Sequence, residues 1–188
     1  ADVTDTASVN AAFREIEGKF GPVEVLVANA GVTKDTLLVR MKDADFQDVI
    51  DTNLTGAFRV VQRATKGFMR LKHGRIIFIS SVVGYTGAPG QVNYASSKAG
   101  LVGMARAVTR ELGSRGITAN VVAPGYIDTA MTQELSDEVK DNYLSMIPAQ
   151  RFGHVEEVAG AVEYLASDAA AYVSGAIIPV DGGLGLGH

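Results

Sequence analysis

Short runs of aliphatic and β-branched residues alternate along the chain with stretches in which apolar positions return every three or four residues. Val9, Ala12, Phe13, Ile16 and Phe20 share one helical face behind Asp5 or Thr6, either of which can cap the helix. Gly21-Pro22 stops it. Val23 to Val27 is a nearly continuous apolar run, the pattern of a strand buried on both faces of a parallel sheet. Phe46, Val49 and Ile50 mark a helix from about Asp43, and a longer helix is predicted over Leu54–Leu71. Arg75–Ile79, Ile117–Ala123 and Ala176–Val180 read as further strands, and Val155–Ala166 as a short helix.

The stretch from Tyr94 to Leu112 is helical in period but apolar almost all round: Ala95, Ala99, Leu101, Val102, Met104, Ala105, Val108 and Leu112. A surface helix needs only one apolar stripe, so this pattern predicts cover on two sides, the second from another subunit. The segment from Ala130 to Ala149 is mixed and lid-like. Its Met131, Leu135, Tyr143, Leu144, Met146 and Ile147 are oily enough to receive an acyl chain. Strands alternating with helices predict βαβ units, and so an α/β fold with a doubly wound, Rossmann-like parallel sheet. No linker or repeat interrupts the pattern, and residues 1–188 are expected to form a single domain.

Ala1-Asp2-Val3 reads as the tail of a strand whose start is absent. Dinucleotide folds hold pyrophosphate on a glycine-rich turn that leads into a helix N-terminus. Neither G-x-G-x-x-G nor G-x-x-x-G-x-G occurs among the 21 glycines, and no helix follows the terminal Gly183-Leu184-Gly185-Leu186-Gly187. The expected architecture is therefore a dinucleotide-type sheet without its N-terminal glycine-rich strand–turn–helix.

Composition narrows the function classes. At 47% hydrophobic and 20% charged, the chain has the apolar mass for a core and is not a disordered tail. It has no cysteine, which removes disulfide scaffolds, thiolate metal sites and thiol catalysis. A net charge of −4 without a basic run makes nucleic acid a poor partner. No apolar run reaches the ~18–20 residues of a membrane span. The expectation is a cytoplasmic protein with no metal site, no nucleic-acid partner and no membrane contact.

The chemistry-bearing residues gather at strand ends. Tyr94 and Lys98 are four apart, on one face of a helix. Ser81 follows the strand before that helix, Asn53 stands at a helix junction, and Asn29-Ala30-Gly31 and Pro124-Gly125 follow two other strands. In an open parallel sheet, ligands bind outside the carboxyl ends of the strands, so these segments converge on one rim. Such a set suits ketone reduction. Hydride addition to a carbonyl carbon leaves negative charge on oxygen, which a positioned acid must neutralise. A lysine one turn from a tyrosine favours the phenolate, and is expected to lower the phenol's pKa. A serine hydroxyl can hold the carbonyl oxygen, and Asn53 can fix a water leading protons to the lysine.

Each piece has a plainer explanation. Tyr-x-x-x-Lys is expected about 0.2 times by chance at this composition and can be a surface pair. Ser80 and Ser81 can simply end a strand, Asn53 can be a cap, and Asn29-Ala30-Gly31 and Pro124-Gly125 can be turns. Order, spacing and strand-end placement together favour the catalytic reading.

With these residues the chain resembles the short-chain dehydrogenases/reductases along its whole length. Asn29-Ala30-Gly31 matches the family's Asn-Ala-Gly element, and Asn53, Ser81, Tyr94 and Lys98 match its catalytic tetrad. Pro124-Gly125, Ile127 and Thr129 match the segment that backs the nicotinamide, and Asp2-Val3 an element that contacts the adenine. Within the family, Asn53-Leu54-Thr55-Gly56, Asn93-Tyr94-Ala95, the run from Ala119 to Thr129 and Ile178–Gly183 resemble members that reduce 3-oxoacyl groups on acyl carrier protein. The resemblance implies NADPH as cofactor, a homotetramer, and an acyl-carrier-protein-bound 3-oxoacyl substrate. For docking that acidic carrier, a patch of Lys72, His73, Arg75, Arg110 and Arg115 is expected, brought beside a neighbouring subunit's entrance.

Two other classes stand against this reading. A serine hydrolase would need a G-x-S-x-G elbow around Ser81, which stands instead in Ile79-Ser80-Ser81-Val82. His73, His154 and His188 sit where solvated residues do. A non-catalytic oligomerising module would suit the missing glycine motif and the two-sided helix. Reductases of the same family acting on acetoacetyl-CoA, steroids or sugars are the nearest rivals.

Overall fold

The computed structural model describes residues 1–129 and 137–185. Helix α1 (Thr6–Phe20) leads to β1 (Val25–Ala28), and α2 (Asp43–Ile50) runs through a π-helical turn at Asp51–Thr55 into α3 (Gly56–Leu71). Then come β2 (Gly74–Ile79), the short α4 (Val83–Thr86), α5 (Val92–Leu112) and β3 (Ile117–Pro124). Helices α6 (Asp137–Met146) and α7 (Val155–Ala166) precede β4 (Ile177–Val180).

Local chemistry explains the ends. The Asp5 carboxylate caps α1, accepting from the Ala7 and Ser8 amides at 2.9 and 3.0 Å. Gly116 opens β3 with φ +75°, and a β-carbon there would lie 2.5 Å from the Lys72 carbonyl oxygen, so only glycine fits the turn.

The strands are parallel in the order β1-β2-β3-β4. Alternation sends Ile76, Phe78, Ala119 and Val121 to the face covered by α1, α3 and α5, with Phe68 fully buried among them. Ile77 and Val122 point the other way, onto Leu165, Val158 and Val162 of α7. Helices thus cover both faces, the layering expected of a Rossmann-like sheet. The steps β1→β2, β2→β3 and β3→β4 run in one direction across the sheet. The first two crossovers pass over one face and the third over the other, so the third has the opposite hand. That crossover is long, from Gly125 to Ala176, and its Tyr126, Ile127, Thr129, Tyr143 and Met146 line a cleft with Ser81 and Tyr94.

Several expectations shift. Val25 and Val27 of β1 are 40% exposed, so this strand is not buried on both faces. The helix expected over Leu54–Leu71 is the continuation of α2, with the Asn53 junction as a π-turn inside one helical rod. The helix carrying Tyr94 begins at Val92, and one face of it is buried, through Ser97, Lys98, Leu101 and Ala105. On its other face Gly103 and Ala107 are exposed and Val102 and Val108 half-buried. Arg75 leaves the expected basic patch: strand alternation turns its side chain inward at 4% exposure, with Nη2 3.4 Å from Asp168. Met131, Leu135 and His188 lie outside the described residues. Among the described residues no helix is long and apolar enough to cross a membrane.

Candidate active site

Helix α5 supplies the central pair. Lys98 is 4% exposed, and its ammonium donates to the carbonyl oxygen of Ile79, the last residue of β2, at 2.8 Å. The neighbouring Ser80 hydroxyl donates back to the Lys98 carbonyl at 2.9 Å. A β-carbon at Gly84 would stand 3.1 Å from Lys98 Cβ and from Ser80 Oγ, so α4 lies tight against the same joint. One turn before Lys98, the Tyr94 ring centroid is 5.5 Å from the ammonium. Ser81 Oγ accepts the Val83 amide at 3.2 Å, and Ser81 and Tyr94 line the same clefts.

The π-turn aims Asn53 inward, to 1% exposure. Its Oδ1 accepts the Val32 amide at 2.8 Å, and its Nδ2 donates to the Val32 carbonyl at 3.0 Å and to Ser97 Oγ at 3.1 Å. Ser97 Oγ in turn donates to the Tyr94 carbonyl at 2.7 Å. The Asn53 amide is therefore committed to the loop after β1 and to α5. Gly100 permits the approach: a β-carbon there would lie 2.8 Å from Leu54 Cδ2.

Two clefts meet at Tyr94. One, of about 290 Å³, is lined by Asn29, Gly31, Lys98, Pro124 and Gly125; the other, of about 720 Å³, by Val83, Pro89, Ile127, Tyr143 and Met146 among others. Thr33, Ser81, Tyr94 and Gly125 line both. Tyr126, which also lines the larger cleft, stacks on Tyr143 at 4.1 Å between ring centroids. Ile127 and Thr129 also edge an apolar groove between the strand ends and α7.

Burial sets the electrostatics. It raises the Tyr94 phenol's pKa above the ordinary value; the Ser81 hydroxyl opposes this and the Asp35 carboxylate adds to it. The expectation that Lys98 lowers the phenol is therefore corrected: desolvation outweighs the cation. Burial also brings Lys98 down, to about 8, where a modest change in surroundings switches its charge. The result is a neutral phenol, a proton donor across the physiological range, beside an amine poised to carry a proton.

The other sequence candidates fall around this centre. Asn29 and Gly31 line the smaller cleft, with Ala30 on the loop between them. Asp2 and Val3 stand apart from both linings. The Asp2 carboxylate accepts from the Thr4 amide at 2.8 Å, and Val3 packs against Gly56 at the start of α3. Sequence reasoning missed Asn93 as a site residue. It is fully buried, takes the Tyr94 amide on Oδ1 at 2.8 Å and gives Nδ2 to the Lys34 carbonyl at 3.0 Å. The available signal was spacing: Asn93 and Ser97, four apart, put polar side chains in line with Leu101 and Ala105 on the buried face of the helix.

Residues 1–185 match the family model described as enoyl-(acyl carrier protein) reductase. Over 187 residues the chain is 56% identical to the 3-oxoacyl-[acyl-carrier-protein] reductase MabA of Mycobacterium avium, covering 100% of this chain and 73% of that one. It is 50% identical over 183 residues to the 3-oxoacyl-[acyl-carrier-protein] reductase FabG of Escherichia coli, covering 97% and 75%. The chain belongs to the short-chain dehydrogenase/reductase family. A crystal structure of an Agrobacterium tumefaciens protein, assigned provisionally as a gluconate dehydrogenase, superposes with a TM-score of 0.94 at 34% identity, over 98% of this chain and 74% of that one.

Members of this family use a nicotinamide cofactor, and the smaller cleft of this short-chain reductase fits one end of it. At Gly31 a β-carbon would approach Lys98 Nζ and Asn53 Oδ1 to 3.4 Å, so the missing side chain leaves this wall open. Lys98 uses one N–H on Ile79 and faces the cleft, so further donors remain for a sugar diol. Pro124 and Gly125 give an apolar floor for a flat ring.

Proposed function

We propose that the protein is an NADPH-dependent reductase that converts 3-oxoacyl groups on acyl carrier protein to 3-hydroxyacyl groups, acting in the cytoplasm as a homotetramer. The observation that carries this reading is the meeting of Ser81, Tyr94 and Lys98 where a small cleft opens into a larger one with an apolar wall. The family model's description names an enoyl reductase; the reading follows the curated relatives, whose names state the 3-oxoacyl substrate.

Asn29, Gly31, Lys98, Pro124 and Gly125 would hold the nicotinamide end of the cofactor, with Ile127 and Thr129 at its edge. When bound, the reduced nicotinamide supplies a hydride. The Ser81 hydroxyl and the Tyr94 phenol receive the 3-oxo oxygen, and the apolar wall of Val83, Pro89, Ile127 and Met146 takes the acyl chain. As the carbonyl π pair moves onto oxygen, Tyr94 gives that oxygen its proton. The buried Lys98 ammonium steadies the phenolate left behind and returns a proton to it. Asn53 and Asn93 keep α5 and the loop after β1 in register, so that donor and cleft stay aligned.

The test is steady-state reduction of an acetoacetyl group on acyl carrier protein, with NADPH and with NADH, followed by loss of reduced-nicotinamide absorbance. The reading expects turnover and preference for NADPH. No turnover by protein shown to bind either cofactor would refute it.

A further inference from the structure

One charged side chain lines the larger cleft among its described residues: Asp35. It is exposed to solvent, but its carboxylate is tied in place. Its Oδ2 accepts from Gln91 Nε2 at 2.6 Å. On either side of it, the Thr36 amide donates to the Gly90 carbonyl at 2.9 Å and Asn93 Nδ2 donates to the Lys34 carbonyl at 3.0 Å. Residues 34–36 are thus stitched to the segment that starts α5, and the carboxylate is held at the cleft wall that it shares with Ser81 and Tyr94. Among the described residues no cation lies within ion-pair distance of it. Its field reaches Tyr94, where it adds to the shift that burial imposes.

We propose that Asp35 is a specificity residue that excludes anionic substrates, so that the site takes a 3-oxo group next to a neutral thioester and rejects the free 3-oxo acid. The inference rests on the 3-oxoacyl reading above. A 3-oxo acid carries its carboxylate two bonds from the reacting carbonyl. With that carbonyl on Ser81 and Tyr94, the charge enters the cleft that Asp35 faces, and like charges oppose each other there. A thioester at the same carbon is neutral and meets no such penalty. Discrimination of this kind comes from a repulsive element set against the wrong ligand as much as from contacts to the right one. The use is plain: hydrolysis of the carried thioester releases a 3-oxo acid, which offers the same ketone.

The experiment compares kcat/KM of the NADPH-loaded enzyme for ethyl acetoacetate, which is neutral, and for acetoacetate, which is anionic, in the wild type and in Asp35→Asn. The isosteric amide keeps an oxygen for Gln91. The readout is the acid-to-ester ratio, because a changed Tyr94 alters both substrates alike and cancels. The wild type should strongly prefer the ester, and Asp35→Asn should raise the ratio by about tenfold, the effect of removing one nearby charge. An unchanged ratio in the variant, or a wild type that reduces the acid as well as the ester, would overturn the proposal. Failure of the wild type on ester and on carrier-bound thioester would instead remove the 3-oxoacyl reading itself.

Discussion

Asn53 holds the backbone of Val32 in both senses, accepting its N–H at 2.8 Å and donating to its C=O at 3.0 Å. This reciprocal pair ties the loop that begins with Asn29-Ala30-Gly31 to a π-turn in the α2–α3 rod, and Ser97 extends the tie to α5. Three elements distant in sequence thereby reach one site through a single amide.

Asn53→Ala removes a buried side chain, 1% exposed, and its hydrogen bonds to Val32 and Ser97; Val32 is itself 42% exposed, so water can take up part of the loss and each bond is worth about 1 kcal/mol. A melting temperature several degrees lower is expected, with loss of turnover. Asn53→Asp keeps the acceptor but loses donation to Val32 and Ser97, and should fall between alanine and wild type. Melting temperatures and kcat measured side by side check the order; an Asn53→Ala enzyme of unchanged stability would show that the tie is unimportant.

The Lys98 amine is held down to about 8 by burial. If its ammonium form returns the proton to Tyr94, kcat/KM for reduction is flat on the acid side of that value and declines on the alkaline side. The phenol, raised by burial, stays protonated over the same range and does not set the limb. A pH–rate profile of the wild type checks this, with a level profile through the alkaline range as the contrary outcome.

The same burial has a stability cost with a defined sign. The native state gives up the Lys98 proton more readily than the unfolded chain, whose value is near 10.5. Burying the ammonium therefore weighs against folding below about 8, and the penalty is relieved as pH rises from about 8 toward 10.5. Lys98→Met, of similar length and without charge, should be inactive yet melt higher than the wild type at neutral pH in the absence of cofactor. The difference should narrow in alkali. A variant that melts lower throughout would mean that the Ile79 hydrogen bond outweighs the buried charge.

Gly125 forms the floor shared by the two clefts, and a β-carbon there would stand 2.8 Å from the Cα of Asp181. The obstacle is backbone, which cannot rotate away. Gly125→Ala should displace the turn after β3, weaken cofactor binding and raise KM for NADPH about tenfold or more, by analogy with other sub-ångström misplacements at active sites. Unchanged affinity by fluorescence titration would show that the turn adapts freely.

Much of this arrangement was legible in the chain. Period and length placed α1, α3, α5, α7 and the four strands within a few residues, because amphipathic helices and apolar strands carry their environment in their spacing. Tyr94 and Lys98 were readable because one helix carries both. What spacing does not show is which atom a polar side chain reaches. Asn53 was seen, but its commitment to Val32 depends on a π-turn that local sequence does not announce. Arg75 read as a surface cation until strand alternation turned it inward. The Tyr94 shift was misjudged because a cation one turn away is visible in sequence, whereas the burial that outweighs it comes from packing.

The central claim is that Tyr94 is the proton donor. Ser81→Ala, which removes only the group that orients the oxygen, should reduce turnover less than loss of the donor does. Tyr94→Phe removes one hydroxyl and keeps the ring, so the fold and the two clefts should survive. Single-turnover reduction of acetoacetyl-acyl carrier protein by Tyr94→Phe, preloaded with NADPH and shown by circular dichroism to be folded, is the direct measurement. The account predicts a rate lower by about 10²–10⁴-fold, the usual worth of a positioned acid, with NADPH affinity within a few-fold of wild type. A folded, cofactor-binding Tyr94→Phe that reduces the substrate at the wild-type rate would contradict it.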